Sequence, residues 1–340
     1  MQETLQKDSV TQYSKDDFSS DQEVRWCPGC GDYSILAQTK KVLPELGIPR
    51  EKIVFVSGIG CSSRFPYYVN SYGIHSIHGR APAIASGIKL TNPELKVFLV
   101  TGDGDGLSIG GNHLIHLCRR NIDITVLLFN NRIYGLTKGQ YSPTSEKGKI
   151  TKSSPYGALE NPFNPIKMAI AAGATFVARS IDREPKHLAE TIAEAAKHKG
   201  TSFVEIYQNC NIFNDGAFEQ LTGKEKKDHI VIMEEDKPYI FGTNNDQVID
   251  WRDNHFYREK LDSSKSYINH TPNKKRDAIE FALAELSDNP ELPTPIGIFK
   301  RTNEETYDGL LTKQVSDVKE KLGNGDLNKL LFSGNTWEIK

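Results

Sequence analysis

Short apolar runs rich in β-branched and aromatic residues alternate with longer amphipathic stretches through the first two thirds of this chain. Ile53–Ser57, the Val97–Val100 core of Leu95–Thr101, Ile124–Phe129, Thr175–Ala178 and Phe203–Tyr207 are too short for helices, and their nearly unbroken apolar character is that of strands covered on both faces. Helical spacing separates them. One helix opens after Asp32 as N-cap, sets Ile35, Leu36, Thr39 and Val42 on one side and ends near Pro44; others are predicted at Pro82–Leu90, Gly110–Arg120, Pro165–Ala172 and Pro185–Lys199, the last closed by Gly200. This alternation predicts a doubly wound, mainly parallel α/β sheet in one domain, residues 26–224, with its patterned elements ending near Ile212. Residues 1–25 read as a polar arm. Lys138–Asn164, rich in Gly, Pro, Ser, Thr and Lys, reads as a long loop of the functional kind. Beyond Lys224 the pattern weakens: Ile230–Met233 and Ile296–Phe299 have strand character, but Asp246–Lys275 is strongly polar. Residues 225–340 are therefore expected to form an irregular extension that packs on another chain.

Composition narrows the class. With 340 residues, 37% hydrophobic and 25% charged, the chain can bury a large core, and a net charge of −2 gives no sign of a nucleic-acid partner. The longest apolar runs fall far below the roughly 20 residues of a membrane-spanning helix. The opening Met1-Gln-Glu-Thr-Leu-Gln-Lys7 lacks the apolar core of a secretory signal, so the expected address is the cytoplasm.

The most informative chemistry lies between Thr101 and Asn131. Gly102-Asp103-Gly104-Asp105-Gly106 follows a strand, where open α/β sheets bind ligands and where glycine lets the backbone approach a phosphate. The following helix N-terminus favours negative charge. The next strand delivers Asn130-Asn131 to the same edge. Magnesium takes hard oxygen ligands at roughly 2.1 Å, and Asp103, an Asn oxygen and a nearby carbonyl meet that need. A strand ending in a tight turn uses the same residues for geometry alone, and that reading stays open.

Five cysteines, an odd number, argue against a disulfide framework. Cys27-Pro-Gly-Cys30 suits zinc, an iron–sulfur cluster or a redox dithiol. Cys61 and Cys210 each follow a strand and so can converge with the pair, while Cys118 sits among helical apolar residues as a small core side chain. His78 reads as a loop residue capping the helix at Pro82. His113 and His116, three apart on one helix, have no third ligand nearby and read as ordinary helix histidines, and Lys224–Asp228 reads as a solvated turn.

Taken together, Gly102-Asp103-Gly104, the 25 residues 105–129 and Asn130-Asn131 resemble the signature of thiamine diphosphate enzymes. Trp26-Cys-Pro-Gly-Cys-Gly31, Gly58-Ile-Gly-Cys-Ser-Ser-Arg64, His78-Gly-Arg80 and Leu136-Thr-Lys-Gly-Gln-Tyr-Ser-Pro-Thr144 further resemble the β subunit of 2-oxoacid:ferredoxin oxidoreductases, most of all the 2-oxoglutarate type. The likeness covers residues 25 to 225. It implies Mg2+ on Asp103, Asn131 and the Ile133 carbonyl, thiamine diphosphate against Ile59, Gly60, Cys61, Ser62, His78, Gly102, Gly104, Asp105, Gly135 and Leu136, and a [4Fe–4S] cluster on Cys27, Cys30, Cys61 and Cys210. It implies oxidative decarboxylation of a 2-oxoacid, with coenzyme A taking the acyl group and ferredoxin the electrons. Arg64 is expected to select the substrate's second carboxylate, or to pair with a local carboxylate or the partner chain; Lys138 is expected to serve substrate or coenzyme A. The aminopyrimidine-activating Glu normally sits on a second α/β domain, which this chain lacks, so a partner α subunit is implied. Pyruvate or broad 2-oxoacid specificity, a non-catalytic cluster- or zinc-binding subunit and a non-redox thiamine enzyme are the competing readings.

Overall fold

The computed structural model describes residues 12–275 and 277–339. The first eleven residues of the expected N-terminal arm lie outside them. In chain order the elements are α1 (Asp32–Val42), β1 (Ile53–Ser57), β2 (Tyr72–His75), α2 (Ala81–Thr91), β3 (Lys96–Gly102), α3 (Gly111–Arg120), β4 (Ile124–Asn130), α4 (Pro165–Ala171), β5 (Phe176–Ile181), α5 (Pro185–Lys197) and β6 (Ser202–Tyr207). Then come α6 (Glu219–Thr222), α7 (Lys226–His229), β7 (Ile230–Met233), β8 (Tyr239–Phe241), β9 (Gln247–Arg252), β10 (His255–Lys260), α8 (Asp277–Glu285), β11 (Thr294–Arg301), α9 (Tyr307–Leu322) and α10 (Leu327–Leu331).

Eight strands form one sheet in the order β2-β1-β3-β4-β6-β5-β11-β7, parallel except where β11 meets β5. Alternate residues of each central strand feed two cores. Val97, Leu99, Val126 and Leu128 pack with α2, α3, α4 and α8 on one face, while Phe98, Val100, Leu127 and Phe129 pack with α1 and α5 on the other. Burial on both faces is why these strands read as continuous apolar runs.

Asp32 is the first residue of α1 rather than its cap, a position Gly31 takes. β2 was not expected, because Tyr72-Gly-Ile-His75 is a largely exposed edge strand with no apolar run to mark it. The stretch expected to be irregular is ordered through Arg301. β7 and β11 extend the main sheet, and β8, β9 and β10 form a separate antiparallel sheet inside and beside the polar window. Its charged side chains are mostly exposed, while Val248, Ile249 and Phe256 are buried.

Candidate active site

The C-terminal ends of four neighbouring strands, β1, β3, β4 and β6, open at one edge of the sheet, the place where such folds hold ligands. After β3, Asp103 is buried, and its Oδ2 accepts from the hydroxyls of Ser142 at 2.5 Å and Thr144 at 2.7 Å. Burial pushes the carboxyl pKa up, and those two hydroxyls work against the rise. Tyr134 lies flat on the turn: its hydroxyl donates to the Gly104 carbonyl at 2.9 Å, and a Cβ on Gly104 would stand 2.2 Å from the ring. Only glycine fits there.

After β4 the two amides take different work. Asn130 donates to Glu205 Oε1 at 2.7 Å and accepts from Arg132 N at 3.2 Å and Thr144 Oγ1 at 2.8 Å, which ties it into the sheet. Asn131 Nδ2 donates to Gln208 at 2.9 Å, while its Oδ1 accepts from Ile133 N at 3.2 Å. The oxygen of Asn131 is thus the less committed of the two.

Asp105 serves the loops around the turn. Its Oδ1 accepts from Ile59 N, His78 Nδ1 and Gly79 N at 3.1, 2.5 and 2.7 Å, and its Oδ2 accepts from Thr101 at 2.6 Å. With both oxygens occupied in this way, Asp105 ties together the loops that wall the crevice. Ser62 Oγ is buried without a hydrogen-bond partner among the described residues and would stand 3.3 Å from a Cβ on Gly102, so a hydroxyl is poised beside the glycine turn. A diphosphate oxygen would satisfy it.

The cysteines gather beside this crevice. Trp26 Nε1 donates to the Cys61 carbonyl at 2.7 Å, which pins the Cys27–Cys30 loop against the loop after β1. A Cβ on Gly135 would stand 3.5 Å from Cys61 Sγ and 3.6 Å from Cys210 Sγ, so the glycine leaves both sulfurs an open face. Burial first, then the Asp32 carboxylate and the neighbouring cysteines, push the Cys61 thiol up to about 12, and Cys30 moves the same way. Metal binding must therefore displace protons. Among the described residues no three His, Cys, Asp or Glu side chains are drawn together tightly enough for a single metal ion. A cubane cluster differs from zinc here: each thiolate meets its own iron, so the sulfurs surround a volume instead of converging on one point. Cys118 is fully buried in the core, and burial pushes its thiol up to about 12. His113 and His116 find no third ligand among the described residues.

Arg64 lies two residues into the turn of helix after Cys61; its Nε donates to Tyr68 at 2.9 Å, and among the described residues it pairs with no carboxylate. Lys138 is exposed, with its backbone at φ 75°, a strained conformation for a side-chain-bearing residue that tends to mark functional loops. Leu136 is half exposed at the rim. Sequence reasoning did not single out Ser142, Thr144, Tyr134 or Gln208 individually. Ser142 and Thr144 lay in the recognised loop, Tyr134 just before it and Gln208 two residues before Cys210, but what each touches depends on strands far away in sequence.

A family model for the thiamine pyrophosphate enzyme, C-terminal TPP binding domain, matches residues 58–206, from the end of β1 through β6. The sheet and its crevice are those of a thiamine pyrophosphate-binding domain. The chain is 50% identical to 2-oxoglutarate oxidoreductase subunit KorB of Mycobacterium tuberculosis, over 95% of this chain and 88% of that one. It is 48% identical to 2-oxoacid:ferredoxin oxidoreductase 1, subunit beta, of Aeropyrum pernix, over 62% of this chain and 65% of that one. A structure of 2-oxoglutarate:ferredoxin oxidoreductase from Magnetococcus marinus, solved with 2-oxoglutarate, coenzyme A and succinyl-CoA bound, superposes with a TM-score of 0.73 at 34% identity, over 96% of this chain and 97% of that one. This chain belongs to the family of 2-oxoglutarate:ferredoxin oxidoreductase β subunits.

Proposed function

We propose that this chain is the half of a 2-oxoglutarate:ferredoxin oxidoreductase that holds the diphosphate and its metal and passes electrons outward. One observation carries the reading: at the same edge of the sheet, the unpartnered Ser62 hydroxyl stands 3.3 Å from where a Cβ on Gly102 would be, next to Asp103, while the sulfurs of Cys61 and Cys210 flank Gly135, four residues after Asn131. Asp103, Asn131 Oδ1 and the Ile133 carbonyl would hold Mg2+, with Gly102, Gly104, Ile59, Gly60, Ser62, His78 and Leu136 around the diphosphate. Cys27, Cys30, Cys61 and Cys210 would hold a [4Fe–4S] cluster. When bound, thiamine diphosphate supplies an electron sink for loss of carbon dioxide from the 2-oxoacid, and the cluster supplies a one-electron acceptor.

The protein's own part is placement. Ser142 and Thr144 hold Asp103 in place, Asp105 draws the Ile59 and His78 loops into walls, and Arg64, three residues after Cys61 and held through Nε by Tyr68, would offer its guanidinium to a second carboxylate. Lys138 serves substrate or coenzyme A. Among the described residues there is a single doubly wound sheet, so a partner α subunit brings the second domain and its activating Glu. Two electrons leave to ferredoxin, and 2-oxoglutarate and coenzyme A become succinyl-CoA and carbon dioxide. A cytoplasmic address belongs to the same reading; among the described residues no helix is long and apolar enough to cross a membrane.

The test is anaerobic purification with the partner subunit. Iron, Mg2+ and thiamine diphosphate should co-purify, and 2-oxoglutarate with coenzyme A should reduce ferredoxin. Asp103→Ala should lose thiamine diphosphate and keep its iron. A colourless preparation with one zinc per chain, or one holding metal but no thiamine diphosphate, would defeat the reading.

A further inference from the structure

Gln208, one residue past β6, is 1% exposed and stands between the two halves of the site. Its Nε2 lies 3.3 Å from Cys30 Sγ and 2.5 Å from the Asn209 carbonyl, and its Oε1 lies 2.9 Å from Asn131 Nδ2. Its backbone N–H is bonded to the Asn130 carbonyl at 3.0 Å, and the Cys27–Cys30 loop rests directly on it: a Cβ on Gly31 would come within 2.9 Å of Gln208 Cγ.

A primary amide carries donors only on nitrogen and acceptors only on oxygen. A metal-bound thiolate at Cys30 and the Asn209 carbonyl both accept, so Nε2 must face them and Oε1 must face Asn131. Asn131 can then meet Oε1 only with its own nitrogen. Its oxygen is left on the other side, beside Ile133, whose carbonyl is the third proposed metal ligand. Reversing either amide would set oxygen against sulfur or oxygen against oxygen.

We propose that Gln208 is the positioning residue that joins the two sites: the Asn209 carbonyl and a thiolate at Cys30 together fix the way round in which Gln208 stands, and Gln208 fixes the way round in which Asn131 presents oxygen to Mg2+. This rests on the cofactor placement proposed above. The same amide N–H bonds a cluster ligand. Reduction adds negative charge to the cluster, so a donor there favours the reduced form and raises the potential.

The experiment uses the complete complex with its α subunit and the variant Gln208→Met, which keeps length and volume but neither donates nor accepts through an amide. An EPR-monitored titration of the cluster should show its reduced-to-oxidised ratio at a fixed poise falling about tenfold, about 59 mV for a one-electron couple. In the presence of thiamine diphosphate, calorimetric titration of chelator-stripped protein with Mg2+ should show Kd rising about tenfold, the scale on which supporting residues act. In the wild type, pulsed EPR of the reduced cluster with 15N-glutamine label should show nitrogen coupling. That measurement stands even if the variant fails to fold. An unmoved potential, a moved potential with unchanged Mg2+ affinity, or no glutamine coupling in the wild type would each overturn the proposal. A wild-type complex without iron or thiamine diphosphate would instead defeat the parent reading.

Discussion

Asp32 is 1% exposed, and neither of its carboxylate oxygens finds a nitrogen or oxygen donor among the described residues; the Cys30 thiol beside it is a weak donor. Burial, with the nearby Asp182 charge, holds its pKa at about 7, against 3.8 for a free carboxylate. The folded state therefore disfavours its ionisation, so the penalty is absent below the free value, grows as pH rises and is complete above about 7. Three units correspond to about 4 kcal/mol. In the metal-free chain Asp32→Asn should raise unfolding stability at pH 8 by up to that amount, with the gain vanishing toward pH 4; urea titrations across this range read it. A gain independent of pH would show that Asp32 does not titrate in this way. Motif residues such as Cys27, Cys30, Cys61 and Asp103 were legible in the sequence because their chemistry is carried by type and spacing. Gln208, Ser142 and Thr144 were not, since common polar residues acquire a role only through the strand ends they meet. Asp105 was read from the motif as a cofactor contact; that four donors from three chain segments also make it the hub of the crevice walls was not legible in the sequence.

At the scale of elements, strand β5 shows where pattern reading stops and why. The run was expected to span Thr175–Ala178, yet the strand continues through Arg179 to Ile181. Arg179 is fully buried: its Nε donates to Glu205 Oε2 on β6 at 2.7 Å, and its guanidinium lies over Tyr207 and Phe299 at 5.0 and 5.4 Å. Both charges come from sheet neighbours that no local window contains. Glu205 also accepts from Asn130, so the pair reaches the metal loop. Arg179→Met leaves Glu205 buried without its counter-charge and should cost about 3–5 kcal/mol, read as a fall in denaturant midpoint. Because Asn130 braces Thr144 and hence Asp103, the folded fraction should also retain less thiamine diphosphate. A midpoint within error of the wild type would mean that Glu205 finds relief elsewhere, and the sheet's ion pair would lose its assigned part. β1, β3, β4 and β6 were found close to their true bounds because both their faces are apolar, while β2, exposed at the edge, carries no such mark.

At the scale of the whole molecule, the region beyond Lys224 completes the sheet through β7 and β11 and then runs into α9 and α10. There Leu322, Leu327, Leu330, Leu331, Phe332 and Trp337 are all at least 64% exposed, more apolar surface than a lone chain keeps without a partner. The expectation of a subunit contact in residues 225–340 thus becomes a proposal about this tail. The substrate, too, is a matter for the assembled enzyme, with Arg64 as the contribution proposed for this chain. Its Nε is fixed on the Tyr68 hydroxyl, which also accepts from Arg25 N at 2.9 Å, so the guanidinium is aimed by a doubly held anchor. It lies close enough to Cys61 for its charge to act on that thiol, and no carboxylate of the described residues neutralises it. A planar, permanently charged fork so placed suits the second carboxylate of 2-oxoglutarate, which pyruvate lacks. Losing one partner of a buried charge pair costs roughly 2–5 kcal/mol, so in the complete complex Arg64→Ile should lower kcat/KM for 2-oxoglutarate at least about thirtyfold. Turnover of pyruvate or 2-oxobutyrate should fall much less, or rise, while iron and thiamine diphosphate contents stay at wild-type levels. An equal loss for every 2-oxoacid would make Arg64 a brace for the Cys61 loop, and selection of the second carboxylate would then have to come from the α subunit.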